Sequence, residues 1–251
     1  MVSPRDTDPG PGGAVRVVPL AFMVVSHVGF ALRQAINSAI KEQRLPAIPK
    51  DVDRDLADRL MGLNTKVASL PIIIERLQRN WEAVRQHAMV RDRSLDGYAL
   101  DGKREESREM VIDTESLFTT LKSAYDVAQR LAKCVGRRVL NLPNVSIEAA
   151  LARVAGLPET QRKLLEYVRG EFVHASAPWF EVLIPEQGSP DLVILLSHDP
   201  DYRRGEGYIL LSTVNGLVTA VATYLDALEG QLVAMVNEYG LDSLPTNAHT
   251  H

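Results

Sequence analysis

"DTESLFTTLKSAYDVAQRLAKCVG", residues 113–136, decides how the rest of the chain is read. Leu117, Leu121, Ala124, Ala128 and Leu131 recur at steps of three and four, the period of one face of an α-helix. Asp113 or Thr114 is placed to cap its start, and Glu115 suits the positive end of the helix dipole. Gly136 can close its last turn. An amphipathic helix of this length needs apolar partners on other elements, so the pattern predicts a helical core.

The same period extends in both directions. Upstream, "DVDRDLADRLMGLNTKVASL" (residues 51–70) places Leu56, Leu60, Leu63 and Val67 on one stripe. Pro71 is expected to kink or restart that helix, which continues with Ile73, Leu77, Trp81 and Val84. A first helix is expected from about Pro19 to Gln43, broken by the two prolines of "LPAIPKD" (residues 45–51). "SLDGYALDGKREESRE" (residues 94–109) is turn-rich and charged, and reads as a surface loop or frayed helix start. Downstream, Ser146 can cap a short helix ending near Gly156, and "LPETQRKLLEYVRGEF" (residues 157–172) predicts another. "DLVILLS" and "YILLST" flank the polar "HDPDYRRGEG", which predicts a small β-hairpin. A last helix should end at Gly240. The expected fold is an all-α helical bundle with a small β-hairpin inserted before the C-terminal helix. Residues 1–13 are expected as a disordered leader, 14–240 as a single helical domain and 241–251 as a flexible tail.

Composition narrows the function classes. Aromatic residues make up 6% of the chain while Ala, Leu and Val are plentiful, which favours aliphatic helix packing over a β-sandwich. A net charge of −4 excludes a strongly basic nucleic-acid footprint across the whole chain. The single cysteine, Cys134, cannot form an internal disulfide and fits a reducing cytoplasm. Its helical core position reads as a small buried hydrophobe and not as a nucleophile. "AVRVVPLAFMVVSHVGFAL" (residues 14–32) is interrupted by Arg16, Pro19 and His27, so no membrane span is expected.

Two chemistries can be placed on residues. Glu105, Glu106 and Glu109 in "EESRE" match the first half of the Glu-Glu-x-x-Glu pattern of all-α nucleotide pyrophosphatases, oxygen ligands that suit magnesium. The second half would need Glu-x-x-Asp on a facing helix, where this chain has Ser123-x-x-Asp126. Asp126 itself, on an otherwise apolar face, is expected to meet an Arg or a backbone donor, with a ligand contact as the alternative. The other is Arg169 with His174: His can move a ribose 2′-hydroxyl proton and Arg can hold charge on phosphate. In an unbroken helix residues five apart lie about 140° around the axis, so this pair needs a helix break at Gly170 to converge. No zinc spacing, Walker loop or nucleophile elbow is present in the sequence.

The Arg169-x4-His174 pattern, the helix of residues 113–135 and the "APWFEVL" segment (residues 177–183) together resemble the HEPN superfamily over roughly residues 50–240. That resemblance implies a bacterial all-α domain of the kind found in toxin–antitoxin and defence systems. It implies metal-independent RNA cleavage by an Arg and a His between two subunits, and a Trp-Phe-x-x-Leu helix at residues 179–183. This sequence departs from the pattern where the catalytic motif is expected after that helix, carrying Gln187, Gly188 and Leu192. The expectation is therefore a catalytically degenerate HEPN-like module in the cytoplasm, without a cofactor, binding protein or RNA and able to form a homodimer. Trp179 is expected as a core anchor or binding residue, and His198 as a further ligand-binding candidate. The two enzyme alternatives are a ribonuclease using Arg169 and His174, and a magnesium-dependent hydrolase using the three glutamates.

Overall fold

A computed structural model describes residues 29–90, 97–99, 103–154, 157, 161–166, 179–183, 191–195 and 208–240. They form a helical bundle. Helix α1 spans Phe30–Lys41, α2 Lys50–Val90, α3 Glu105–Cys134, α4 Asn144–Leu151 and α5 Leu211–Glu238. Residues 161–166 are also helical. The expected leader, the expected tail and the first part of the expected first helix lie outside the described residues.

α2 and α3 run antiparallel as one long hairpin. Cross-helix contacts show the register: Arg138 donates to Asp51 and Asp55, Arg76 pairs with Asp113 at 2.8 Å, Asn80 donates to Glu109 at 2.9 Å, and Arg104 meets His87. Each step forward along α2 is a step backward along α3. Leu32 of α1, Leu63 of α2, Leu131 of α3 and Leu225, Leu228 and Leu232 of α5 converge in the core, so four helices share one apolar centre.

Pro71 lies inside α2 and neither ends nor restarts it. One lost N–H is a local cost, and the apolar stripe on both sides is buried against the same neighbours. That stripe uses Ile74 in place of the expected Ile73, followed by Leu77, Trp81 and Val84.

The clearest helix begins eight residues before Asp113, at Glu105. Asp113 and Thr114 are therefore not caps but buried mid-helix residues, and the acidic first turn is Glu105–Glu106. Of the two expectations for residues 94–109, the helix start holds for "EESRE", while Gly97–Ala99 is a short strand. At the other end α3 passes into a π-helical turn, Val135–Val139, where Leu140 donates to the Val135 carbonyl at 2.9 Å. Gly136 is part of that turn and not a helix stop. A side chain there would meet Ile147 Cγ1 at 2.6 Å, so the glycine lets α4 approach closely. α4 starts after Pro143 and not at Ser146, because proline pre-sets the backbone angle at a helix entrance.

A four-stranded antiparallel sheet, β1 (Gly97–Ala99), β2 (Trp179–Leu183), β3 (Asp191–Leu195) and β4 (Tyr208–Leu210), accompanies the bundle in that order. The segments read as a hairpin from sequence contain β3 and β4, with Ile194 opposite Ile209. The segment expected to be a Trp-Phe-x-x-Leu helix is β2, paired with β3 along its whole length and with β1 at Gly97–Ala99. Five residues rich in aromatic and branched side chains are too few for a stable helix and suit a pleated surface.

Candidate functional site

Arg169, His174 and His198 lie outside the described residues. Trp179 opens β2, where its backbone pairs with Leu195. The carboxylates proposed for magnesium do not come together. Glu109 and Asp126 sit on the same continuous helix, seventeen residues apart, which at 1.5 Å per residue separates them by about 25 Å. Among the described residues, no three acidic, His or Cys side chains form a metal-sized group. Glu109 is engaged by Asn80, and Glu105 is exposed in the first turn of α3.

Asp126 is only partly buried and pairs with Lys122 one turn earlier, so it is a helix-surface ion pair. Its ion-pair partner is thus a lysine on the same helix and not the expected arginine. Among the described residues the buried carboxylate is Asp113, whose place in the sequence suggests a helix cap. Its burial pushes the carboxyl above the ordinary range and Glu109 adds to this, against the opposing pull of Arg76 and Arg79.

Cys134 is buried, and its thiol donates to Asp55 at 3.4 Å. Burial, with the Asp55 carboxylate beside it, holds the thiol above its usual pKa, although Arg59 and Arg138 act the other way. A thiolate is the reactive form, so Cys134 is expected to resist alkylation in the native state. A maleimide time course at pH 7.5 should show labelling only as the protein unfolds. Labelling as fast as a free thiol would return Cys134 to the list of nucleophiles.

The surface offers a more distinctive feature. α2 has a second, outward seam at steps of four, three and four: Met61, Thr65, Ala68 and Ile72. Met61 is 66% exposed and Ile72 61% exposed, and Phe30 at the start of α1 is 65% exposed. Arg33, Ala57, Leu60, Met61, Asn64, Thr65 and Ala68 line a broad, shallow groove along this seam. Charged residues bracket it, Arg54 and Asp58 before and Glu75 and Arg79 after. Arg33 on its wall is paired with Asp53, so the groove floor is apolar and small-residue in character and not cationic. The sequence carried this signal as a second heptad-like stripe on α2, hidden beside the stronger inner one.

No family model matches the chain, and neither does any curated protein or solved structure. Among the described residues, no helix is long and apolar enough to cross a membrane.

Proposed function

We propose that this chain is a non-catalytic helical module that binds a partner protein by docking one of the partner's helices along the outer seam of α2. The observation that carries this reading is the exposure of Met61 and Ile72 at the two ends of a small-residue stretch, Thr65 and Ala68, on one helix face. Large residues at the ends and small ones between let a second helix come close and grip both ends, the pattern of helix-in-groove recognition. An apolar floor with its neighbouring Arg33 already paired favours a protein partner over a phosphate backbone. A degenerate HEPN-like relationship belongs to the same reading, supported by the long helix α3 and the closing helix α5. The strand at Trp179–Leu183 removes the second helix on which that resemblance drew.

Glutamates at Met61 and Ile72 should leave the fold intact, shifting stability by roughly 0.5 kcal/mol or less for each exposed site. A photo-crosslinking amino acid at Met61 should capture a protein partner in cells, and the same group at exposed Glu115 on α3 should not. Equal labelling at both positions, or none at Met61, refutes the seam as the docking face. Light scattering of the purified chain shows whether the captured partner is a second copy. Purified protein is expected to leave end-labelled RNA intact in EDTA. Cleavage that disappears in His174→Ala would replace this reading with the ribonuclease.

A further inference from the structure

The chain enters the bundle beside the outer groove of α2. Gly29 packs so closely on Leu60 that an added Cβ would lie 2.3 Å from Leu60 Cδ2, and Leu60 lines the groove together with Met61 and Ala68. Arg33, one turn into α1, lines it too. The entry point is fixed, because the Gly29 N–H donates to Glu229 Oε1 of α5 at 2.8 Å. The inner side of Gly29 is closed: Leu32, Leu63, Leu131 and Leu225 pack there around a space that holds little more than a water molecule. Residues 14–28, "AVRVVPLAFMVVSHV", are apolar apart from Arg16, Pro19, Ser26 and His27. Such a run is unfavourable in water and is stabilised by covering apolar surface. The apolar surface at its point of attachment is the groove, where Met61 is exposed, with exposed Phe30 one turn before Arg33.

We infer that the groove is the seat of this chain's own residues 14–28, which withhold it from a partner until they are displaced. The occupant follows from the entry point at Gly29, whereas its effect on a partner rests on the seam being a docking face. The reach is sufficient: Ala57 to Ala68 is about 17 Å along α2, and residues 14–28 extend about 21 Å even when fully helical. The chemistry also fits. Thr65 and Ala68 leave a hollow that large apolar side chains fill, and Leu20, Phe22 and Met23 are of that kind. The other end of the chain is a poor rival. Residues 241–251 are mostly polar and follow Gly240, which packs on the Arg44 carbonyl beyond the opposite end of α1. Attached beside its seat, the segment competes at a local concentration of roughly a millimolar, so a partner's helix meets an occupied groove.

A photo-crosslinking amino acid at Met61 of the purified full-length chain tests the occupant with no partner present. Its crosslinks should fall within the same chain, on residues 17–28 of the tryptic peptide that ends at Arg33, and the same group at Glu115 should give none there. Phe22→Asp combined with Val25→Asp should weaken that crosslink several-fold. In cells the same pair should raise capture of a partner at Met61 several-fold. Crosslinks that join two copies, that fall on other segments or that survive the double substitution overturn the inference. Capture of a partner by the wild type with no internal crosslink also overturns it, and leaves the docking face standing. An internal crosslink with no partner captured by either form supports the occupant and counts against the docking face instead.

Discussion

Arg76→Ala should destabilise the protein by about 3 kcal/mol at pH 7.5, the largest loss expected from any single surface-accessible side chain. Asp113 is 1% exposed and Arg76 is its ion-pair partner at 2.8 Å. Removing the cation leaves an uncompensated charge inside the hairpin, which costs more than the pair itself contributes. Asp113→Asn removes the charge together with the need for a partner, and should stay within about 1 kcal/mol of wild type. The pH dependence separates this account from a simple packing loss. The native state holds the Asp113 carboxyl above its ordinary range, so it binds the proton more tightly than the unfolded chain does. The stability this gives is fully present below the unfolded value of about 3.9 and is lost as pH rises through the folded pKa. The advantage of Asp113→Asn over wild type should therefore grow with pH in that window and then level off. In Arg76→Ala the window moves upward, because the carboxyl has lost its cation and keeps its proton longer. Urea unfolding at pH 5 and pH 7.5 should show the Arg76→Ala deficit shrinking at the lower pH. A deficit that is the same at both would mean that Arg76 acts through packing alone.

The second large effect is expected at Gly29. Its φ of +94° lies in the left-handed region, and an added Cβ would sit 2.3 Å from Leu60 Cδ2. Leu60 is itself buried, so it cannot simply swing away. Left-handed backbone costs a residue with a side chain roughly 1–2 kcal/mol, and forcing a methyl into a packed site costs a similar amount. Gly29→Ala should therefore lose about 3 kcal/mol. The same turn is tied to the bundle by its own N–H, donated to Glu229 Oε1 of α5 at 2.8 Å. A carboxylate supplied from a distant helix thus sits at the start of α1, where the helix dipole is positive. Gly62, in the interior of α2, is the control: nothing lies within 4 Å of where its Cβ would stand. Gly62→Ala should stabilise the protein by about 0.5–1 kcal/mol through helix propensity. If the two alanines shifted the urea midpoint in the same direction, the close approach at Gly29 would have no energetic weight.

Periodicity alone determined most of the helical core. Leu56, Leu60, Leu63 and Val67 on α2, and Leu117, Leu121, Ala124, Ala128 and Leu131 on α3, follow from spacing, because burial of one stripe is what makes each helix stable. The stop at Gly240 was legible for a local reason, its positive φ of 76°. What the sequence misread was each residue whose role is set by a distant partner. Asp113 has the chemistry of a cap, and only Arg76 on the facing helix makes it a buried mid-helix charge. Asp126 stands out on an apolar face, yet Lys122 one turn away leaves it half in solvent. Gly136 looks like a helix stop, but its lack of a side chain serves the approach of Ile147 on α4. Trp179–Leu183 took its expected helix from resemblance, while strands from both sides fixed it as β2. The three glutamates of "EESRE" looked like half of a metal site until α3 proved continuous and carried Asp126 about 25 Å along the same axis. Local spacing fixes which residues can share a face; which face is covered, and by what, depends on elements tens of residues away and is decided only when they pack.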